Sequence, residues 1–165
     1  MSTFVSVGNA TQPFQRLLDA VAAMTDRLPQ PVTVQYGSGR FAATGCDARA
    51  FIPMDEFERL VAGAELLILH AGAGSVMHAL RAGKVPVVMP RRAAFGEHVD
   101  DHQAEFAEAL GRAGRVVVVR EADALLAGAD RALALQRESR AASGSSEMLR
   151  LIGATLDRYA RQGAR

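Results

Sequence analysis

Short runs of apolar, often β-branched residues alternate along this chain with stretches in which apolar residues recur every three or four positions. The first pattern fits buried strands and the second amphipathic helices. Residues 4–7 read as a strand and residues 8–12 as a turn. Pro13 stands at the first turn of a helix, where a missing N–H costs nothing, and Phe14, Leu17, Leu18 and Val21 share that helix's apolar face. Pro29 and Pro31 close the unit, and residues 32–35 form a second strand. Residues 36–49 hold glycines and no strong period, so they read as a connection.

The alternation continues. Pro53 precedes a helix over 54–61 with Phe57, Leu60 and Val61 on one side, and residues 66–70 are an apolar strand ending in a histidine. The segment HAGAGSVMHAL then opens another helix, with Gly83 suited to its C-terminal cap. A strand over 85–89 ends at Pro90, a polar loop follows, and a helix is expected over 99–110. Residues 116–119 read as a strand and 121–140 as a helix rich in Ala, Leu, Arg and Glu. Strands and helices at this spacing predict an α/β fold, a Rossmann-like parallel sheet with helices on both faces. The expected organisation is one such domain over 1–140. A linker and a C-terminal amphipathic helix follow over 141–165, with Ser146 as N-cap and Met148, Leu149, Ile152, Leu156 and Tyr159 as the apolar stripe.

Composition narrows the function. The chain has 165 residues, 49% hydrophobic and 22% charged, enough apolar material for a packed core. Nineteen basic against 18 acidic residues give a formal charge of +1, with no basic run dense enough for nucleic acid. One cysteine, Cys46, excludes an internal disulfide and a thiol-rich metal site. No apolar stretch reaches the roughly 20 residues of a membrane span, and the N-terminal MSTFVSVGNATQPF lacks a basic leader with an apolar core. A cytoplasmic location is expected.

In a parallel sheet, ligands bind outside the carboxyl ends of the strands, so the loops 8–12, 70–75 and 90–103 should share one rim. The loop His70-Ala71-Gly72-Ala73-Gly74-Ser75 is either a tight strand-to-helix turn or an anion cradle, in which glycines admit a ligand to helix N–H groups. It matches neither a P-loop nor the dinucleotide pattern. Gly8, Asn9 and Thr11 repeat the logic more weakly, since many such turns carry Gly and Asn. His78, one turn into the next helix, is a surface or core-edge histidine or a donor contact. The segment Gly96-Glu97-His98-Val99-Asp100-Asp101-His102-Gln103 is the densest polar cluster. Its aspartates suit a helix first turn. His98 and His102 have the spacing of a helical metal pair, but without thiols or an H-E-x-x-H order no metal is expected. No G-x-S-x-G elbow surrounds Ser75, so a hydrolase is disfavoured. Arg91 and Arg92 could pair with a uronate but read as solvated loop arginines.

Taken together, VSVGNATQPFQRLLDAV, HAGAGSVMHAL and PRRAAFGEHVDDHQAEFAEAL resemble the small catalytic subunits of two-component glycosyltransferases with the family 28 carboxy-terminal domain. That group includes the GlcNAc-transferring subunit of dolichol-linked oligosaccharide synthesis and bacterial exopolysaccharide subunits. The resemblance covers about residues 4–119. It implies the C-terminal half of a GT-B glycosyltransferase, which binds a UDP-sugar donor and needs no further cofactor. A separate, membrane-anchored polypeptide would supply the acceptor-binding half, hold a lipid-linked acceptor and recruit this chain to the cytoplasmic face of a membrane.

By position, the resemblance implies that Gly72, Gly74 and Ser75 line the diphosphate, with His70 and His78 beside it and Gly8, Asn9 and Thr11 opposite. Glu97, His98, Asp101, His102 and Gln103 would reach the sugar and ribose. The chain departs from the family at Asn9 and Ala10, where Thr and His are common, and at His78, where Glu is common. Transfer with inversion needs a base for the acceptor hydroxyl. The base is expected from the partner, with Glu97 or His98 as fallback. The alternative is a non-catalytic nucleotide-sugar-binding or regulatory module.

Overall fold

The computed structural model describes residues 2–141, so the expected C-terminal helix and its linker lie outside the described residues. Six strands, β1 (Thr3–Ser6), β2 (Val32–Gln35), β3 (Cys46–Arg49), β4 (Leu66–His70), β5 (Val87–Met89) and β6 (Val117–Val118), form one sheet in the order β3-β2-β1-β4-β5-β6. Every pairing is parallel, and β1 is central, with Thr3 opposite both Val32 and Leu66. The α-helices among the described residues are α1 (Gln15–Ala22), α2 (Met54–Gly63), α3 (Ala73–Arg81), α4 (His102–Arg112) and α5 (Leu125–Ala141).

The period-2 geometry of the strands divides the core in two. Val5, Val34, Leu66, Ile68, Val87 and Met89 pack with Leu17, Leu18 and Val21 of α1 and Leu125 and Ala129 of α5. Phe4, Leu67, Leu69 and Val88 face the opposite way, onto Phe57 and Val61 of α2, Val76 and Leu80 of α3, and Phe106 and Leu110 of α4. Both faces of the sheet are covered, and each buried Leu, Val or Phe contributes about 1.5–3 kcal/mol. The expected doubly covered α/β layer is therefore the fold.

Two elements differ from the sequence reading. Residues 46–49 form an edge strand instead of a connection, pairing only with β2, and their conformation is pinned by Arg49, whose guanidinium binds Asp47 and Glu56 at 2.8 Å each. The helix expected from residue 99 begins at His102, because the side chains of Asp100 and Asp101 serve the preceding loop. Asp100 Oδ1 accepts the His102 N–H at 3.1 Å, and Asp101 Oδ1 accepts the Ala93 N–H at 3.0 Å.

The strand order reverses between β1 and β4. From β1 the chain crosses by α1 toward β2, and from β4 it crosses by α3 toward β5, so the loops after these strands diverge and leave a crevice.

Candidate functional site

That crevice holds a cleft of about 280 Å³ lined by Gly8 and Asn9 after β1 and by His70, Gly72, Gly74, Ser75 and His78 around the start of α3. Ser6, Gln35, Ile52, Met54 and Phe57 complete its wall. Helix α3 starts on Gly72, which has no side chain to cap it, and its first internal bond runs from the Val76 N–H to the Gly72 carbonyl at 3.1 Å. The N–H groups of Ala73, Gly74 and Ser75 are thus left for an external acceptor, at the positive end of the helix dipole. Among the described residues, no carboxylate lines the cleft.

His70 is the floor. Its imidazole fills the space between two glycines: a Cβ on Gly8 would stand 2.4 Å from its Nε2, and one on Gly72 2.0 Å from its Cε1. Gly8 also takes a φ of +77°, which L side chains rarely adopt. The ring Nε2 lies 3.3 Å from Ser75 Oγ, and Nδ1 lies 3.4 Å from Gln103 Nε2. Burial is the main force lowering the pKa of His70, to about 4, with the Arg91 charge and, more weakly, His98 pushing the same way. His70 is accordingly neutral at pH 7.

A second polar network orients Asn9. Ser6 Oγ–H donates to Gln35 Oε1 at 2.7 Å, and Gln35 Nε2 donates to Asn9 Oδ1 at 2.9 Å. With its carbonyl oxygen engaged, Asn9 turns its NH₂ outward as a further donor.

Behind the cleft, Arg91 corrects the reading of a solvated arginine, being only 1% exposed. Its Nη1 donates to the carbonyls of Gln12 at 2.8 Å and Glu97 at 2.9 Å, and its Nη2 donates to that of Val7 at 2.6 Å. The guanidinium carbon also stands 4.9 Å from the centre of the Phe14 ring. Burial lowers the pKa of Arg91, opposed by the Glu97 charge. This one side chain ties the loop after β1 to the loop after β5.

The structure brings some expected site residues together and separates others. Gly8, Asn9, His70, Gly72, Gly74, Ser75 and His78 share the cleft. His78 stacks edge-on against Phe57 at 5.8 Å and lies 3.5 Å from Glu58. Thr11 is exposed and outside the cleft lining, its hydroxyl 3.4 Å from Gln12 Oε1. Glu97 is placed elsewhere too: it is 4% exposed, its oxygens are held by Arg16 Nε and Nη2 at 2.9 Å each, and its Oε2 also takes the Arg92 N–H at 2.9 Å. That carboxylate is engaged in joining α1 to the β5 loop and does not stand in the cleft as a base.

The segment 98–103 is likewise organised from within. Asp100 lies between His98 Nδ1 at 3.2 Å and His102 Nδ1 at 3.0 Å, and its carboxyl is held below the usual range chiefly by the His102 backbone N–H. His98 precedes α4, so the helical i, i+4 face considered for a metal pair does not exist. Gln103 reaches His70 without lining the cleft.

Sequence reading missed Ser6, Gln35, Ile52, Met54 and Phe57 as parts of the site. A polar serine inside an apolar strand and a glutamine at a strand's end were the available signals for the first two.

The Glycosyltransferase family 28 C-terminal domain profile matches residues 2–149. Among curated relatives, the chain is 33% identical over 151 residues to the UDP-N-acetylglucosamine transferase subunit ALG13 of Yarrowia lipolytica, covering 84% of this chain and 74% of that one. It is 31% identical over 102 residues to the UDP-N-acetylglucosamine--N-acetylmuramyl-(pentapeptide) pyrophosphoryl-undecaprenol N-acetylglucosamine transferase of Solibacter usitatus, covering 58% of this chain and 27% of that one. Among solved structures, CalG4, the calicheamicin glycosyltransferase, superposes with a TM-score of 0.59 over 99% of this chain at 21% identity. The glycotransferase of kitacinnamycin does so with 0.60 over 96% at 20%. This chain spans 44% and 43% of those two structures, as one Rossmann-like half of the GT-B architecture. Because the family profile runs the whole length of the sheet, this chain belongs to the glycosyltransferase family 28 C-terminal domain family.

Proposed function

We propose that this chain is the donor-binding half of a two-component glycosyltransferase. It holds a UDP-sugar with the diphosphate in the β1/β4 cleft. A membrane-anchored partner subunit supplies the acceptor-binding half, and the sugar passes with inversion to a lipid-linked acceptor in polysaccharide or glycan synthesis. The observation that carries this reading is a cleft furnished with hydrogen-bond donors and free of carboxylates: the α3 N-terminus, Asn9 and Ser75 over a neutral His70. Such a surface favours an anion and disfavours a cation. The Yarrowia relative's description as a transferase subunit supports a chain that works with a second half.

In this reading the chain stabilises the leaving group. Negative charge grows on the diphosphate as its bond to the sugar's anomeric carbon breaks, and oriented N–H groups in the cleft meet it with little reorganisation. The proton of the acceptor hydroxyl must go elsewhere. Glu97 is bound by Arg16, and neither it nor His98 lines the cleft, which supports a base contributed by the partner. In this reading membrane attachment falls to the partner; no helix among the described residues is long and apolar enough to cross a bilayer.

The test is transfer of radiolabelled sugar from UDP-GlcNAc, UDP-glucose or UDP-glucuronic acid to a polyprenol-linked acceptor by this chain co-purified with its partner. Transfer by the pair and none by either chain alone is the expected result. Equal transfer by this chain alone would place the base here. The carboxylate-free cleft also favours a second reading, a nucleotide-sugar-binding module without chemistry. UDP binding with no transfer beside any partner would select it.

A further inference from the structure

Gln103 stands in the first turn of α4, outside the cleft lining, and both ends of its amide are engaged. Its Oε1 accepts the Arg91 backbone N–H at 3.2 Å, and its Nε2 faces His70 Nδ1 at 3.4 Å. The Arg91 N–H needs an oxygen opposite it. Flipping the amide would leave two donors face to face, so the orientation of Gln103 is set by the main chain.

The consequence passes to His70. Burial keeps its ring neutral at pH 7, so one nitrogen carries a proton and the other does not. Facing the Gln103 NH₂, Nδ1 must be the acceptor, which puts the proton on Nε2. Gly8 and Gly72 pack against the ring from both sides, where no other residue would leave it room. Nε2–H then points at Ser75 Oγ, 3.3 Å distant, which accepts it. The hydroxyl's own proton is left for the cleft. In the opposite tautomer Ser75 would donate to a bare Nε2 and present only lone pairs to a ligand, which an anion would avoid.

We propose that Gln103 is a positioning residue that fixes His70 as the Nε2–H tautomer and so keeps Ser75 Oγ–H as a donor to an anion in the cleft. The step to the anion rests on the reading of the cleft as a nucleotide-diphosphate site, whereas the tautomer is a property of the free protein and is tested without a ligand.

Two-bond ¹H–¹⁵N correlation spectra of the ligand-free, ¹⁵N-labelled chain at pH 7 report the His70 tautomer, and calorimetry reports UDP binding. Wild type should show the Nε2–H pattern. Gln103→Met, which cannot donate, should give mixed tautomers, and Gln103→Glu, which can only accept, should give Nδ1–H or a doubly protonated ring. Both variants should bind UDP about tenfold more weakly, the scale of one hydrogen bond to a charged group. Ser75→Ala should lose as much, and adding Gln103→Met to it should lose little more. A wild-type Nδ1–H pattern, an unchanged tautomer in both Gln103 variants, or additive losses with Ser75→Ala would overturn the proposal. If the tautomer responds as stated while UDP binds none of the proteins, the diphosphate reading falls and the role of Gln103 toward His70 stands.

Discussion

Arg16 and Glu97, 81 positions apart in the chain, meet in a two-pronged ion pair, Nε to Oε1 and Nη2 to Oε2, each at 2.9 Å. Arg16 also donates to the carbonyls of Pro90 and Arg120. The pair therefore welds the start of α1 to the loop after β5, which carries Arg91 and leads into α4, where Gln103 reaches His70.

Removing one partner should expose the asymmetry of this pair. Arg16→Met leaves a carboxylate with a side-chain exposure of 6% unpaired and should cost about 3 kcal/mol, at the low end for a buried pair because the Arg16 side chain is 18% exposed. Glu97→Gln leaves Arg16 its two carbonyls and should cost about 1–2 kcal/mol. Urea denaturation measures both. UDP affinity of Glu97→Gln should stay within about twofold of wild type, since Glu97 does not line the cleft. A large loss of affinity at unchanged stability would put Glu97 at the ligand instead.

Arg91→Lys should be poorly tolerated despite keeping the charge. A single ammonium cannot serve the carbonyls of Val7, Gln12 and Glu97 in the planar geometry that the guanidinium satisfies. The expected loss is about 2–4 kcal/mol, from two buried acceptors left unpaired. Calorimetric UDP titration should weaken in parallel, because the loop after β1 is freed. Stability equal to wild type would contradict the clamp.

His70 should make the protein less stable in mild acid. Its pKa is about 4 in the folded protein against about 6.5 unfolded, so between those values the unfolded chain binds the extra proton and stability rises with pH. Above that window the contribution is constant. His70→Asn should therefore show a shallower rise from pH 4.5 to 6.5, by at most one proton, or about 1.4 kcal/mol per pH unit. Parallel curves for the two proteins would mean that His70 is not held neutral by the fold.

The glycines of the cleft should divide into two kinds. Gly72→Ala drives a Cβ into the His70 ring and should displace it, lowering both Tm and UDP affinity. A Cβ at Gly74 meets nothing within 4 Å, so Gly74→Val should keep Tm close to wild type, while its side chain intrudes where the ligand approaches. Equal UDP binding by Gly74→Val and wild type would move the ligand away from the α3 N-terminus.

The sequence made the rim legible and its inner workings much less so. Alternation of strand and helix periods located β1, β2, β4 and β5 to within a residue or two, and parallel strands force their following loops onto one edge. β3 was hidden because Cys46-Asp47-Ala48-Arg49 has no β-branched residue and alternates small apolar with charged side chains over only four positions, and an edge strand held by one neighbour and two ion pairs needs no stronger pattern. Arg91 was misread for a related reason. An arginine is buried only when several acceptors converge on it, and here they come from positions 79 and 84 residues earlier, a coincidence of the fold that no local pattern records. Glu97 looked like chemistry for the converse reason, since its partner lies on α1.

The central claim, that the crevice between β1 and β4 holds a nucleotide diphosphate, is tested most directly by titrating the ¹⁵N-labelled chain with UDP and following its backbone amide resonances. The account predicts saturable shifts, largest at Gly8, Asn9, Ala73, Gly74 and Ser75 and small at Gly83 and Gly114 on the far side of the sheet. Saturable shifts centred away from the α3 N-terminus, or none with the partner subunit present, would contradict it.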